Sequence, residues 1–335
     1  MVRWLIDNSH LAINLDKLTY AGHPESLETV ENHKNYHFEK GDICDGELVR
    51  SLFKHYKPDG VIHLAAESHV DRSIDGSAEF IRTNIIGTHN LLAQANRYYR
   101  SLDEDKKNHF RFLHVSTDEV YRSLGDDGYF TEDSLYDPHS PYSASKASAD
   151  HLARAWHHTY GLPVLITNYS NNYGPYQFPE KLIPVVILIA LQGESIPVYG
   201  KGKNVCDWLF VDDHVKALIK VLTKGIPGET YNIGGHCERT NIEMVHTICD
   251  TLDQLVPKEN GTGYRKQITY VADRPGHDYR YAIDASKIKK ELNWMPEESI
   301  ESGIEKTIKW YLNNMTWVEA VTKNNYNLGR LGVTE

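Results

Sequence analysis

Cysteine is scarce in this sequence, and the four that occur, Cys44, Cys206, Cys237 and Cys249, are scattered over 335 residues without a CxxC pair. That spacing suggests neither a disulfide framework nor a cysteine zinc site. Histidine is plentiful at 18, yet pairs such as His157 and His158 lack companions at metal-ligand spacing, so no metal is expected. No stretch approaches the roughly 20 apolar residues needed to cross a bilayer; the run Ile183 to Leu191 is too short. Met1 is followed by Arg3, Asp7 and Asn8 rather than by a secretory apolar core, and the expected location is the cytoplasm. Positive charge is also in short supply. With 36 Lys and Arg against 46 Asp and Glu, the net charge of −10 argues against a general nucleic-acid binder. A local basic pocket for one nucleotide remains compatible with it.

What is present fits a globular protein, 40% hydrophobic and 24% charged. Short β-branched runs alternate with longer helical patterns, which predicts an α/β fold built on a parallel sheet with crossover helices. Candidate strands are Ala12–Leu15, Tyr36–Glu39, Gly60–Leu64, Phe110–Val115 and Pro163–Asn168, several ending in the polar or small residues that meet ligands at the open edge of such a sheet. Helical periodicity covers Ala78–Tyr99 and Tyr142–Tyr160. After Asn168 the alternation loosens, with punctuation at Pro175, Pro179, Pro184, Gly193, Pro197, Gly200 and Gly202. The expectation is a nucleotide-binding domain over 1–168 and a smaller substrate lobe over 169–335, some of whose segments return to the first. Gly228–Gly235 and Ile268–Asp284 are expected to contribute to the cleft between them.

Two motifs carry chemistry. Tyr142 and Lys146 stand four apart in YSASK at the start of a helical pattern, on one face about one turn apart. An ammonium there stabilises a phenolate and lowers the tyrosine pKa, so Tyr142 can take a hydroxyl proton while hydride leaves the same carbon. Upstream, Ser116, Thr117, Asp118 and Glu119 follow a buried-looking strand. Taken alone, that run also reads as a helix start, with a hydroxyl cap and first-turn acids. Its combination with YSASK and with HLAAESHVDRS at 63–73 favours the functional reading.

HLAAESHVDRS, STDEVY, YSASK, NYSNNYGPYQFPEKLIP and DRPGHD, in this order and spacing, resemble the extended short-chain dehydrogenase/reductase family, in particular its nucleotide-sugar 4,6-dehydratases, from about Leu15 to Trp310. The resemblance implies a Rossmann-like doubly wound sheet, NAD as cofactor, dTDP-glucose as substrate and a homodimer formed through the two long helices. It implies that Tyr142, Lys146 and Thr117 serve oxidation at carbon 4, and that Glu119 as base and a protonated Asp118 as acid remove water across carbons 5 and 6. Hydride then returns to carbon 6. For NAD it implies Asp16, whose carboxylate favours NAD over NADP, with Asp42, Ile43, Leu64, Ala65, Ala66, Ser68, Thr83 and Ser116 beside Tyr142 and Lys146. For the sugar nucleotide it implies Ser68, Thr117, Asn171, Lys181, Leu182, Pro197, Tyr199, Asn241, Arg274 and Tyr281.

Three features depart from that pattern. The family's first strand and Gly-rich pyrophosphate loop should precede Asp16 by roughly 20–30 residues, which places them before Met1, so the expected sheet lacks its first strand and Val2–Asn8 is the end of the first crossover helix. Arg122 follows Val120-Tyr121 where the family has glycine. Cys206 stands where the family usually has an arginine facing the nucleotide phosphate. An NAD-dependent nucleotide-sugar 4-epimerase, which needs Tyr142 and Lys146 but no carboxylate pair, is the enzyme alternative, and a noncatalytic truncated homologue is the other.

Overall fold

The protein is described by a computed structural model over residues 1–121, 123–273 and 279–323. Its strands are β1 (Ala12–Asp16), β2 (Tyr36–Lys40), β3 (Gly60–His63), β4 (Arg111–Thr117), β5 (Val164–Tyr169), β6 (Asn171–Tyr173), β7 (Ile196–Tyr199), β8 (Val205–Phe210), β9 (Thr230–Ile233), β10 (Glu238–Thr240) and β11 (Ile268–Val271). β3, β4, β5 and β9 form a parallel sheet in that order. The chain has an α/β fold.

Both faces of this sheet are covered, which is why β4 and β5 read as continuous apolar runs rather than alternating ones. Phe112, Val164 and Ile166 face one way with Leu92, Ala95 and Ala153 from helices Thr88–Ser101 and Pro141–Tyr160. Leu113, Val115 and Leu165 face the other way with Leu218 and Ile288 from helices Val211–Lys224 and Ser286–Leu292. β1 and β2 form a separate parallel pair. Ile13–Asp16 of β1 and all of β3 line the walls of a cavity of about 300 Å³, together with Val49, Phe53 and Tyr56. Val2–Asp7 is helical, as read from the sequence.

A third apolar cluster joins helix Leu182–Gln192, apolar up to its final glutamine, to helices Asn241–Leu255 and Ile300–Asn313 and to β7 and β8. Over it lie the sheets β10–β8–β6 and β11–β7. Gly228–Gly235 contains β9, which pairs with β5 in the main sheet and does not line the cleft; this corrects the sequence expectation, because TYNI is buried on both faces and behaves as a sheet strand. The glycine that follows is sterically required. A Cβ on Gly235 would collide with the Trp208 carbonyl of β8, so Gly235→Ala is expected to lower unfolding free energy by about 1–3 kcal/mol in a denaturant titration.

Candidate active site

The central helix Pro141–Tyr160 is fixed at its start by local chemistry. Ser140 and Ser143 exchange side-chain to backbone hydrogen bonds of 3.0 Å, and Pro141 occupies the first turn. Gly161, at φ 71°, ends it in the left-handed conformation that suits glycine. The helix therefore presents Tyr142, Lys146, Asp150 and Arg154 at four-residue intervals along one face. Of these, Tyr142 reaches a second cavity of about 370 Å³.

That cavity gathers Thr117, Asp118 and Glu119 at the end of β4 with Tyr142, Ser68, Asn171, Lys181, Leu182, Pro197, Tyr199 and Asn241. Thr117 Oγ1 accepts from the Glu119 amide at 3.3 Å and donates to Asp118 Oδ1 at 3.4 Å. Asp118 is 2% exposed, and its Oδ2 finds no hydrogen-bond partner among the described residues. Burial, then the charges of Glu119 and Asp207, push its carboxyl well above the usual carboxylate range and favour its protonated form.

Tyr142 differs from the sequence expectation. Burial, followed by Tyr169 and Glu119, holds its phenol well above the ordinary value, while the nearby Thr117 hydroxyl acts in the opposite direction. Lys146 Nζ instead donates to the Val115 carbonyl at 2.8 Å. Its own pKa is lowered to about 8 by burial, against the pull of Asp150.

Behind Lys146 lies a layer that the sequence reading missed. Asp150, wholly buried, accepts from His114 Nε2 at 3.0 Å and from the Tyr136 hydroxyl at 2.8 Å. Burial works against ionisation there, but the His114 hydrogen bond and the neighbouring cations hold Asp150 below its usual value. Asn84 is the second omission. It donates to the Glu67 carbonyl at 3.0 Å and to Ser145 Oγ at 2.8 Å, and accepts from the Glu67 amide at 2.9 Å, tying the loop after β3 to the central helix. The spacing Tyr142-Lys146-Asp150 was a visible signal for the first; nothing local marked the second.

On the cofactor side, Asp16, Ile43, Leu64 and Ala65 line the cavity between β1 and β3. Asp16 ends β1 with its Oδ1 accepting the Leu18 amide at 2.7 Å, and Asp42 pairs with Lys17 at 3.1 Å. Leu64 is 47% exposed at the C-terminal end of β3. Carboxylates at the ends of β1 and β2, small and apolar residues at the end of β3, and a buried lysine beyond them fit a dinucleotide laid across the sheet edge. Ala66 follows on the same loop, Ser116 is buried at the end of β4, and Thr83 lies in the helical segment 81–87. Tyr281 is beside β8, its amide donating to the Val205 carbonyl at 3.1 Å, and is not among the cavity-lining residues. Arg122 and Arg274 lie outside the described residues. Residues in the wall that the sequence reading did not select include Asn172, Gln177, Glu180 and Trp208.

Residues 1–307 match the family model described as GDP-mannose 4,6 dehydratase. Among curated proteins, the chain is 56% identical to the dTDP-glucose 4,6-dehydratase of Escherichia coli, covering 100% of this chain and 96% of that protein. Among solved structures it is similar to the dTDP-glucose 4,6-dehydratase of Bacillus anthracis in complex with NAD, at 43% identity and a TM-score of 0.85 over 96% of this chain and 94% of that one. It is likewise similar to the Streptomyces venezuelae dTDP-glucose 4,6-dehydratase with NAD bound, at 42% identity and a TM-score of 0.87 over 96% and 95%.

Proposed function

The chain belongs to the GDP-mannose 4,6 dehydratase family, and from that premise we propose that it converts dTDP-glucose to dTDP-4-keto-6-deoxyglucose with NAD as cofactor. The observation that carries this reading is the pairing, in one cavity, of a buried carboxyl group whose protonated form burial favours, Asp118, with a second carboxyl group, Glu119, opposite Tyr142. An epimerase needs the tyrosine and lysine but has no use for a proton donor and a base side by side.

Bound NAD would supply the redox half of the reaction, accepting hydride from carbon 4 and returning it at carbon 6. Asp16, Ile43, Leu64, Ala65 and Lys146 would hold it, with Asp42, Ala66, Ser68, Thr83 and Ser116 nearby. Tyr142, as the phenolate, receives the proton of the 4-hydroxyl, and Thr117 beside it steadies the oxygen as it becomes a carbonyl. The ketone makes the carbon 5 proton acidic. Glu119 removes that proton, Asp118 protonates the departing carbon 6 hydroxyl, and water leaves. Asp118 suits this role because burial keeps its proton in place until an oxygen arrives. Asn171, Lys181, Leu182, Pro197, Tyr199, Asn241, Arg274 and Tyr281 complete the sugar-nucleotide contacts in this reading.

Lys146 gives the reading a pH signature. With its pKa lowered to about 8, the ammonium is present below that pH and lost above it. Electrostatic help to the Tyr142 phenolate is lost with it. The rate of carbon 4 oxidation is therefore expected to fall as pH rises through about 8, and a pH–rate profile of Lys146→Met should lack that limb.

No helix among the described residues is long and apolar enough to cross a membrane. The finer reading is a cytoplasmic homodimer. Its support is the exposed Ile81 and Ile86 before helix Thr88–Ser101 and the exposed Tyr160 at the end of the central helix, on elements that pack side by side. The division near 168–169 into nucleotide and substrate parts belongs to the same proposal. The reaction is tested by the mass of the product: incubation with NAD and dTDP-glucose should yield a species lighter by one water, whereas an unchanged mass with an altered sugar would establish the epimerase.

A further inference from the structure

The described wall of the cavity that holds Tyr142 carries little positive charge for a site that takes a nucleoside diphosphate sugar, and Arg274 lies outside the described residues. Among its described lining residues Lys181 is the one lysine or arginine, against Asp71, Asp118, Glu119 and Glu180. Lys181 Nζ donates to the Ser68 carbonyl at 3.1 Å. A diphosphate needs more than one partner of this kind, and planar guanidinium groups suit it.

A further positive charge stands across a strand boundary. In the antiparallel pairing of β8 with β10, Arg239 lies directly opposite Cys206. Residues opposed in this way project from the same face, their Cβ atoms about 4.5–5.5 Å apart. Cys206 lines the cavity, and Arg239 shares its face of the strand pair without itself being among the lining residues. The short thiol leaves room for the longer side chain to cross. Arg239 is also uncommitted by charge: it is half-buried, donates from Nη1 to the Glu238 carbonyl at 2.9 Å, and makes no ion pair among the described residues. Nearby Arg280, by contrast, is neutralised by Glu238 at 2.7 Å. Asn241, two residues beyond Arg239, already lines the cavity. An arginine at both 206 and 239 would set like charges opposite each other, which destabilises a strand pair.

We propose that Arg239 reaches across Cys206 to bind the diphosphate of the sugar nucleotide, taking the charge from β10 instead of β8. This rests on the reading of the cavity as a nucleoside diphosphate sugar site. It is tested on the full chain by calorimetric titration with dTDP and, separately, with thymidine, neither of which requires turnover. Arg239→Ala is expected to weaken dTDP about 10- to 100-fold, the scale of a lost charge-assisted contact, and to leave thymidine binding unchanged. Arg239→Gln, which keeps length and hydrogen bonding, should lose nearly as much, separating charge from folding. In the double variant Cys206→Arg with Arg239→Thr, dTDP affinity should return to within a few-fold of the parent. Retention of dTDP affinity in Arg239→Ala, or equal loss of thymidine and dTDP, would overturn the assignment while leaving the site reading intact. A parent chain that binds no dTDP would overturn both.

Discussion

Replacing Asp118 by asparagine is expected to slow dehydration by about 10²–10⁴-fold, the usual contribution of a positioned general acid, while leaving oxidation at carbon 4 running. The reason is the division of labour at the end of β4. Asp118 is buried, which favours its protonated form, and has one oxygen without a partner among the described residues. Asparagine has the same shape and can still donate a hydrogen bond, but it has no proton to give to a leaving hydroxyl. The reaction should stall with carbon 4 oxidised. Absorbance at the reduced-nicotinamide band should therefore accumulate in a single turnover of the variant and pass through only a transient in the parent. Loss of that absorbance together with product would place Asp118 in the oxidation step instead.

Tyr142→Phe should fail earlier, by a similar factor of about 10²–10⁴, with no reduced nicotinamide formed at any time. Among the described residues its phenol is the one on the central helix that reaches the cavity, where Thr117 also lies. Burial alone makes it a reluctant acid, so its role as proton acceptor depends on positive charge delivered nearby. Lys146, one turn on, is the candidate on the same helix face, held ready at the Val115 carbonyl. Asp150, His114 and Tyr136 behind it form a buried, hydrogen-bonded floor. If Tyr142→Phe still built up the reduced cofactor, a different group would have to be taking the hydroxyl proton.

Much of this arrangement was legible in the sequence because its signals are local. β4 runs Arg111–Thr117 where Phe110–Val115 was read, β5 runs Val164–Tyr169 where Pro163–Asn168 was read, and the central helix begins one residue earlier than YSASK suggests. Thr117, Asp118, Glu119 and Tyr142 meet because a strand end and a helix start are placed side by side by the parallel sheet, a regularity of the class. The helix read over Ala78–Tyr99 is broken into Ser77–Phe80, a widened turn over Ile81–Gly87 and Thr88–Ser101. The widened turn carries Asn84 to Glu67 and Ser145, and such a turn leaves no mark on apolar spacing. β6 and β10 are three residues long, too short to show alternation. The opposition of Arg239 to Cys206 is a register between segments more than thirty residues apart, which only the folded chain reveals.

The most direct test of the central claim follows one hydrogen through the reaction. With NAD and dTDP-glucose carrying deuterium at carbon 4, the account predicts a product lighter by one water whose deuterium sits on the carbon 6 methyl group, because oxidation, elimination and hydride return occur in one cavity around Tyr142, Asp118 and Glu119. A product that keeps the water, or one that has lost water but carries no deuterium at carbon 6, would contradict it.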